Sequence, residues 1–158
     1  MTLTDGVLLA LAVGVSLWLG RGSGRRPGRA LLVMSALAIS ALLFLPTAWL
    51  QTAAGPGGMA SLEAIAARVS WDLSDAVHFL IFVWLALLLR LLRRDLRGWL
   101  GIAVLLVLAV AAELSQGLTS AREVRLDDVC INVFAAGTGL LLAEVTFAAR
   151  KLLERTRR

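Results

Sequence analysis

Hydrophobic and polar positions in this chain segregate into long blocks. Five apolar runs can be read, at about Leu3–Leu19, Ala30–Leu50, Asp75–Leu92, Trp99–Leu118 and Asp128–Ala149. A helix needs roughly 20 apolar residues to cross a ~30 Å hydrocarbon core, so the first run is short and the others are of spanning length. Backbone at membrane depth must satisfy its own amides, which makes each run an expected helix. Pro46 stands near the end of the second run, where a kink or an early stop costs little. The predicted fold is all-α: a polytopic transmembrane helical bundle of about five spans.

The segment between runs two and three differs. Gly55-Pro56-Gly57-Gly58 breaks the chain. Met59, Leu62, Ile65, Ala66, Val69 and Leu73 then recur at helical spacing, with Glu63, Arg68 and Asp72 on other faces. This pattern predicts a short amphipathic helix on a membrane surface, with Trp71 as its interfacial anchor. It serves either as a cap over the bundle or as a lid or lateral gate for a lipid. The organisation is thus two N-terminal spans in 1–50, an external loop with a short helix in 51–74, a three-span region in 75–150 and a basic tail in 151–158.

Composition agrees with the pattern. The chain of 158 residues is 59% hydrophobic, with a mean hydropathy of +0.82, well above the roughly 45–50% apolar content of soluble domains. Its net charge of +5 is not a nucleic-acid signal, because the arginines sit at span ends. Arg21, Arg25, Arg26 and Arg29 follow run one, Arg90, Arg93, Arg94 and Arg97 follow run three, and Arg150, Lys151, Arg155, Arg157 and Arg158 end the chain. The other connections carry only Arg68, and Arg122 with Arg125. By the positive-inside rule the N-terminus lies outside and the C-terminus in the cytoplasm. The opening MTLTDG has no basic stretch, so run one is expected to be retained. Cys130 is the single cysteine, which leaves no intrachain disulfide and no zinc spacing of the CxxC kind.

Against this background several polar residues stand out. Asp75 and His78 lie in the first turns of run three at i,i+3, and Glu113 and Gln116 near the end of run four at i,i+3. Asp128 and Asn132 open run five at i,i+4. Such spacings put each pair on one helix face. The topology brings all three pairs to the outer end, with His78, Glu113 and Asn132 roughly 5–10 Å below the boundary. Lipid cannot hydrogen-bond them, so they should face inward, into an outward-opening pocket with Arg122 and Arg125 at its rim.

Each residue also has a plainer role. Glu113 and Gln116 could join neighbouring helices as packing glue. His78 alone could be a satisfied interfacial histidine, and an acid at a helix start, Asp127 or Asp128, gains from the dipole. Arg122 could pair with Glu123 or a lipid phosphate. Arg90 is expected to snorkel to the cytoplasm and Glu144 to pair locally. Ala135, Gly139 and Ala143 form a small-xxx-small stripe that suits close helix packing.

Asp75-Ala76-Val77-His78-Phe79, Glu113-Leu114-Ser115-Gln116, Arg122, Asp128-Val129-Cys130-Ile131-Asn132 and Gly139 together resemble the VanZ-like family of bacterial membrane proteins over about residues 70–143. The pattern is similar to an acid and a His/Asn opening one span, E-x-x-Q ending the next, then R-x5-D-x3-N and a glycine stripe. Two positions depart from it. Ser74 stands where the family acid falls, with Asp75 one later, and Ala135 stands where Gly is frequent. The resemblance implies a place in the bacterial plasma membrane and a link to the cell envelope and to glycopeptide (teicoplanin) resistance, without a settled reaction.

The functional expectation is an outward-facing site for an envelope lipid or glycolipid headgroup. The partners would be membrane lipids or a lipid-linked envelope precursor, and not nucleic acid. Arg122 suits phosphate, since a guanidinium fork binds it bidentately. His78 and Glu113 would handle protons, with Gln116, Asp128, Asn132 and Asp75 orienting them or the ligand. Ser115 is a weak candidate nucleophile. A divalent ion held by His78, Glu113 and Asp128 fits the donor types, and the sequence does not choose among ions. A non-enzymatic accessory or scaffold protein, and a small proton-coupled transporter, remain open.

Overall fold

The structure, a computed structural model, describes residues 3–24, 26–44, 73–119 and 125–156, with scattered helical positions between 52 and 67. Among the described residues the long elements are all helices: α1 (Leu3–Arg21), α2 (Arg26–Phe44), α3 (Leu73–Leu92), α4 (Trp99–Thr119) and α5 (Leu126–Thr156), with a 3₁₀ turn at Arg94–Leu96. The expected surface helix around Met59–Val69 lies largely outside the described residues, as does Arg122.

Local chemistry explains most boundaries. Pro27 sits in the first turn of α2, where its missing N–H costs nothing. Asp75 in α3, and Asp127 and Asp128 in α5, place negative charge at helix N-termini. Gly98, at φ +88°, turns the chain into α4.

Among the described residues, three helices are long and apolar enough to cross a membrane: Ser74–Leu92, Trp99–Leu118 and Leu126–Thr156. A shorter apolar helix covers Gly6–Arg21. The helices thus follow the apolar runs, although α2 is described only to Phe44. With 31 residues, α5 is about 46 Å long at 1.5 Å per residue. That exceeds a bilayer core, and the surplus is the basic segment after Ala149, which continues the helix.

The surface has the polarity that lipid requires. Val107, Phe134 and Leu141 are each more than 60% exposed, while His78, Glu113 and Asn132 are at most 3% exposed. An apolar exterior of this extent does not suit water.

Packing divides the molecule into α3 against α5 and α1 against α2, with α4 bridging them. The α3–α5 contact depends on the small stripe, since Ala135 and Ala143 are fully buried. A Cβ on Gly139 would collide with the Val83 carbonyl and come within 2.8 Å of Ala86 Cβ, so only glycine allows this approach. Trp84 Nε1 donates to Ser35 Oγ at 3.1 Å, tying α3 to α2. At the basic end Arg90 Nε donates to Glu144 Oε1 at 2.6 Å. These two residues therefore pair with each other across α3 and α5, so the partner of Glu144 comes from another helix at the same end.

Arg93 plays a part that its place in an arginine cluster did not suggest. It is 3% exposed and donates to the backbone oxygens of Trp18 at 3.0 Å and Leu19 at 2.6 Å. Those carbonyls belong to the last turn of α1, where helical partners run out. The guanidinium lies 5.2 Å from the Trp18 ring and is held by both Asp95 carboxylate oxygens, Nε to Oδ1 at 2.8 Å and Nη2 to Oδ2 at 2.6 Å. The hydrogen bond from Arg93 holds the Asp95 carboxyl below the usual carboxylate range. Because that pKa is depressed on folding, the contribution of Asp95 is present above its unfolded value and is lost as pH falls through the folded one.

Replacing Arg93 with Met keeps the apolar stem but abandons two carbonyls and Asp95. Hydrogen bonds to charged groups contribute ~1.5–3 kcal/mol each, so R93M should lower the unfolding temperature in detergent by several degrees. Exposed Arg94→Met should barely change it. Equal melting of the two variants would show that the α1 contact does not stabilise the bundle.

Candidate functional site

The polar residues of the last three helices meet at one end of the bundle. His78 lies early in α3, Glu113 and Gln116 in the last turns of α4, and Asp128 and Asn132 in the first turns of α5. The pairs converge because each is spaced to share one helix face, and α4 runs antiparallel between the other two in sequence. All are buried: His78 is 3% exposed, Glu113 2%, Gln116 5%, Asp128 6% and Asn132 0%.

His78 is the hub. Its Nδ1 lies 3.1 Å from Asn132 Oδ1 and 3.6 Å from Glu113 Oε1. Gln116 Nε2 lies 3.3 Å from its Nε2. With the Gln116 amide donating to Nε2, the ring carries its proton on Nδ1 and donates it to Asn132 Oδ1. One imidazole thus links three helices.

Asp128 approaches from the same side. One donor atom from each of His78, Glu113 and Asp128 can be chosen so that all three lie within 4.8 Å of one another. Arg125 Nη1 stands 3.9 Å from Asp128 Oδ1, too far for a hydrogen bond. Asp128 Oδ1 and Asn132 Nδ2 are buried and have no hydrogen-bond partner among the described residues. Asp127, by contrast, faces outward, so it is the acid that the helix dipole alone accounts for. Asp75 is half-buried in the first turn of α3, three residues before His78.

The side chains pack against each other in a knot that is nearly sealed from solvent. A cavity of about 180 Å³ lies on the other side of α4, between α1, α2, α3 and α4, where Leu11, Val15, Ile39, Phe82 and Leu108 give it an apolar wall. Ser115 lines that cavity and donates to its own Ala112 carbonyl at 2.7 Å. Its hydroxyl therefore serves the other face of α4, which counts against a nucleophilic role beside His78. No short motif marked this cavity; only the small residues Ala12, Ser16, Ala36 and Ala112 hinted that α1, α2 and α4 do not fill the space between them.

Fold and site define a class: an all-helical bundle of membrane type with a buried polar knot at one end of its last three helices. A family model described as VanZ/LLP1 matches residues 30–147, and the chain belongs to that family. The match reaches back through most of α2, further than the motifs by which the resemblance is read. No curated protein and no solved structure matches the chain.

The 3.1 Å contact between His78 and Asn132 can be isolated by a double-mutant cycle with H78L, N132L and the double variant. Interhelical hydrogen bonds in membranes average ~0.6 kcal/mol and reach ~1.7. Reversible unfolding in mixed micelles should give a coupling within that range. Strictly additive effects would mean that the pair is not bonded.

Proposed function

We propose that this protein is a multi-pass protein of the bacterial plasma membrane whose polar knot binds or processes the headgroup of an envelope lipid or glycolipid. About five spans, an external N-terminus and a cytoplasmic C-terminus put the knot near the outer leaflet, where such headgroups lie. The observation that carries this reading is the convergence of His78, Glu113, Gln116, Asp128 and Asn132 from three helices into one buried cluster. Packing alone does not call for so many ionisable groups, since polar residues inside a bilayer are costly and tend to mark functional sites.

The chemistry of the parts supports a phosphate-bearing ligand. Asn132 Nδ2 is a buried donor with no acceptor among the described residues, and phosphate oxygens accept. Arg125 is half-exposed beside Asp128, and Arg122 is the guanidinium expected to grip phosphate from the rim. The apolar cavity adjoins the knot across α4, because its lining residues Ala112 and Ser115 directly precede Glu113 and Gln116. An acyl or prenyl chain fits such a wall. His78 and Glu113 would move protons if the ligand reacts. Teicoplanin resistance is the phenotype in which loss of this function would be sought.

Topology is tested with reporter fusions. Fusions after Arg97 and at Arg158 should read cytoplasmic, and one after Gly57 external. A cytoplasmic signal after Gly57 would invert the molecule and move the knot to the inner leaflet.

Ligand binding is tested by native mass spectrometry of detergent-purified protein with phosphatidylglycerol and a polyprenyl phosphate. Wild-type protein should retain about one phospholipid or polyprenyl phosphate. R122K keeps the charge but loses the fork, and a charge-assisted hydrogen bond of ~1.5–3 kcal/mol corresponds to roughly tenfold or more in affinity. E113Q should also weaken retention, with thermal stability nearly unchanged. Equal retention by all three proteins would favour the scaffold reading.

A further inference from the structure

We propose that the knot is a binding site for one divalent metal ion of the first transition row, held by His78 Nδ1, Glu113 and Asp128, with Asn132 Oδ1 as a fourth donor. This rests on the cluster being a ligand site but not on the identity of any lipid.

Geometry supplies the first argument. Tetrahedral ligands at ~2.0–2.2 Å from an ion are about 3.4 Å apart. His78 Nδ1 is already 3.6 Å from Glu113 Oε1 and 3.1 Å from Asn132 Oδ1. Donor atoms of His78, Glu113 and Asp128 lie within 4.8 Å of one another, so closing the site takes a shift of roughly 1 Å in these side chains. The ion would occupy the space now bridged by the Nδ1 proton, and binding shifts that proton to Nε2, since a ligating imidazole is neutral.

The second argument comes from groups that packing leaves unused. Asp128 Oδ1 is a buried oxygen with no hydrogen bond among the described residues. Asn132 Nδ2 is a buried donor in the same position. An ion satisfies the first, and a water or phosphate oxygen taken up as a fifth ligand of that ion satisfies the second. Such an ion would also give a phosphate group a reason to enter a knot rich in carboxylates.

Around the donors stands a suitable second layer. A ligating histidine donates its other ring N–H to a carbonyl or carboxylate. Gln116 is 3.3 Å from His78 Nε2, and a half-turn of its amide presents Oε1 to an Nε2–H. Arg125, 3.9 Å from Asp128, would orient that carboxylate. The donor set also selects the ion. One imidazole with oxygen donors suits Mn²⁺ or Zn²⁺, whereas Mg²⁺ and Ca²⁺ prefer oxygen alone. Cys130 is exposed and is not among the clustered donors.

The test is metal binding to the full chain in detergent, after chelator treatment and with no lipid added. Mn²⁺ is followed by loss of its free-ion paramagnetic resonance signal, and Zn²⁺ by elemental analysis after desalting. Wild type should bind about one equivalent of either ion, in competition with each other. E113Q and D128N each remove a donor charge and should weaken binding at least 100-fold. Q116A removes no donor and no charge, and loss of an outer-layer partner should cost roughly 10–100-fold. Its bound Mn²⁺ should also show a changed resonance spectrum, which a merely structural role for Gln116 would not cause. E144Q, at the opposite end of the bundle, should bind as wild type does. No saturable binding by the folded wild type would overturn the proposal, as would equal binding by Q116A and wild type or equal losses in E144Q and D128N. Because no lipid is present, failure here leaves the headgroup reading standing. Metal binding without lipid retention would sink the headgroup reading alone.

Discussion

The need to hide polar groups from lipid shapes this molecule at both ends. At one end, His78 can be placed in the bundle interior only because Asn132, Glu113 and Gln116 arrive at the same depth from two other helices. A helix carrying any one of these residues alone would have to expose it to hydrocarbon or lie differently. The knot therefore fixes the register of α3, α4 and α5 as well as their rotation. Apolar packing cannot do this in a bilayer, where lipid tails are as apolar as leucine and the drive to bury side chains largely vanishes.

The opposite end uses the same constraint for a different purpose. Arg93 turns inward to the last carbonyls of α1, while Arg90 crosses to Glu144 on α5. These contacts join helices near the surface, where water can reach part of each pair, as the 52% exposure of Glu144 and of Asp95 shows. Exposed pairs contribute little individually. The polar knot has no such access to water, since its side chains are nearly all sealed. One end is thus a solvated set of fasteners and the other a desolvated cluster. Chemistry that depends on strong local electrostatics belongs in the second, where screening is weak.

How much of this could be read beforehand depended on periodicity. The i,i+3 spacing of Glu113 and Gln116 and the i,i+4 spacing of Asp128 and Asn132 fix shared faces, and helix direction fixes shared depth. The meeting of these residues follows from those two facts and the cost of polar groups in lipid. Even the split between Asp127 and Asp128 was implicit, because only Asp128 shares a face with Asn132. Long-range partners were not legible in this way. Nothing local separates Arg93 from Arg94, yet one is buried against a helix 75 residues earlier and the other is exposed. That choice is made by where α1 ends relative to α3, a tertiary fact without a sequence period. The extension of α5 past Ala149 was hidden for another reason: Arg150 to Thr156 lacks the apolar content that marks a span, although nothing in it breaks a helix.

The family match also bears on the role of α2. Short motifs confine the resemblance to the last three helices, but the matched region begins at residue 30. The chemistry-bearing residues therefore travel with a helix that contributes none of them. What α2 does contribute is Ala36, Ile39 and Ser40 on the wall of the apolar cavity, and Ser35 as acceptor for Trp84. If the three polar helices were sufficient, α2 would be an arbitrary neighbour. Its inclusion is the expected result if knot and cavity act as one site, the polar part supplied by α3 to α5 and the apolar part completed by α2. A ligand with a charged head and a hydrocarbon chain is the kind of molecule that needs both.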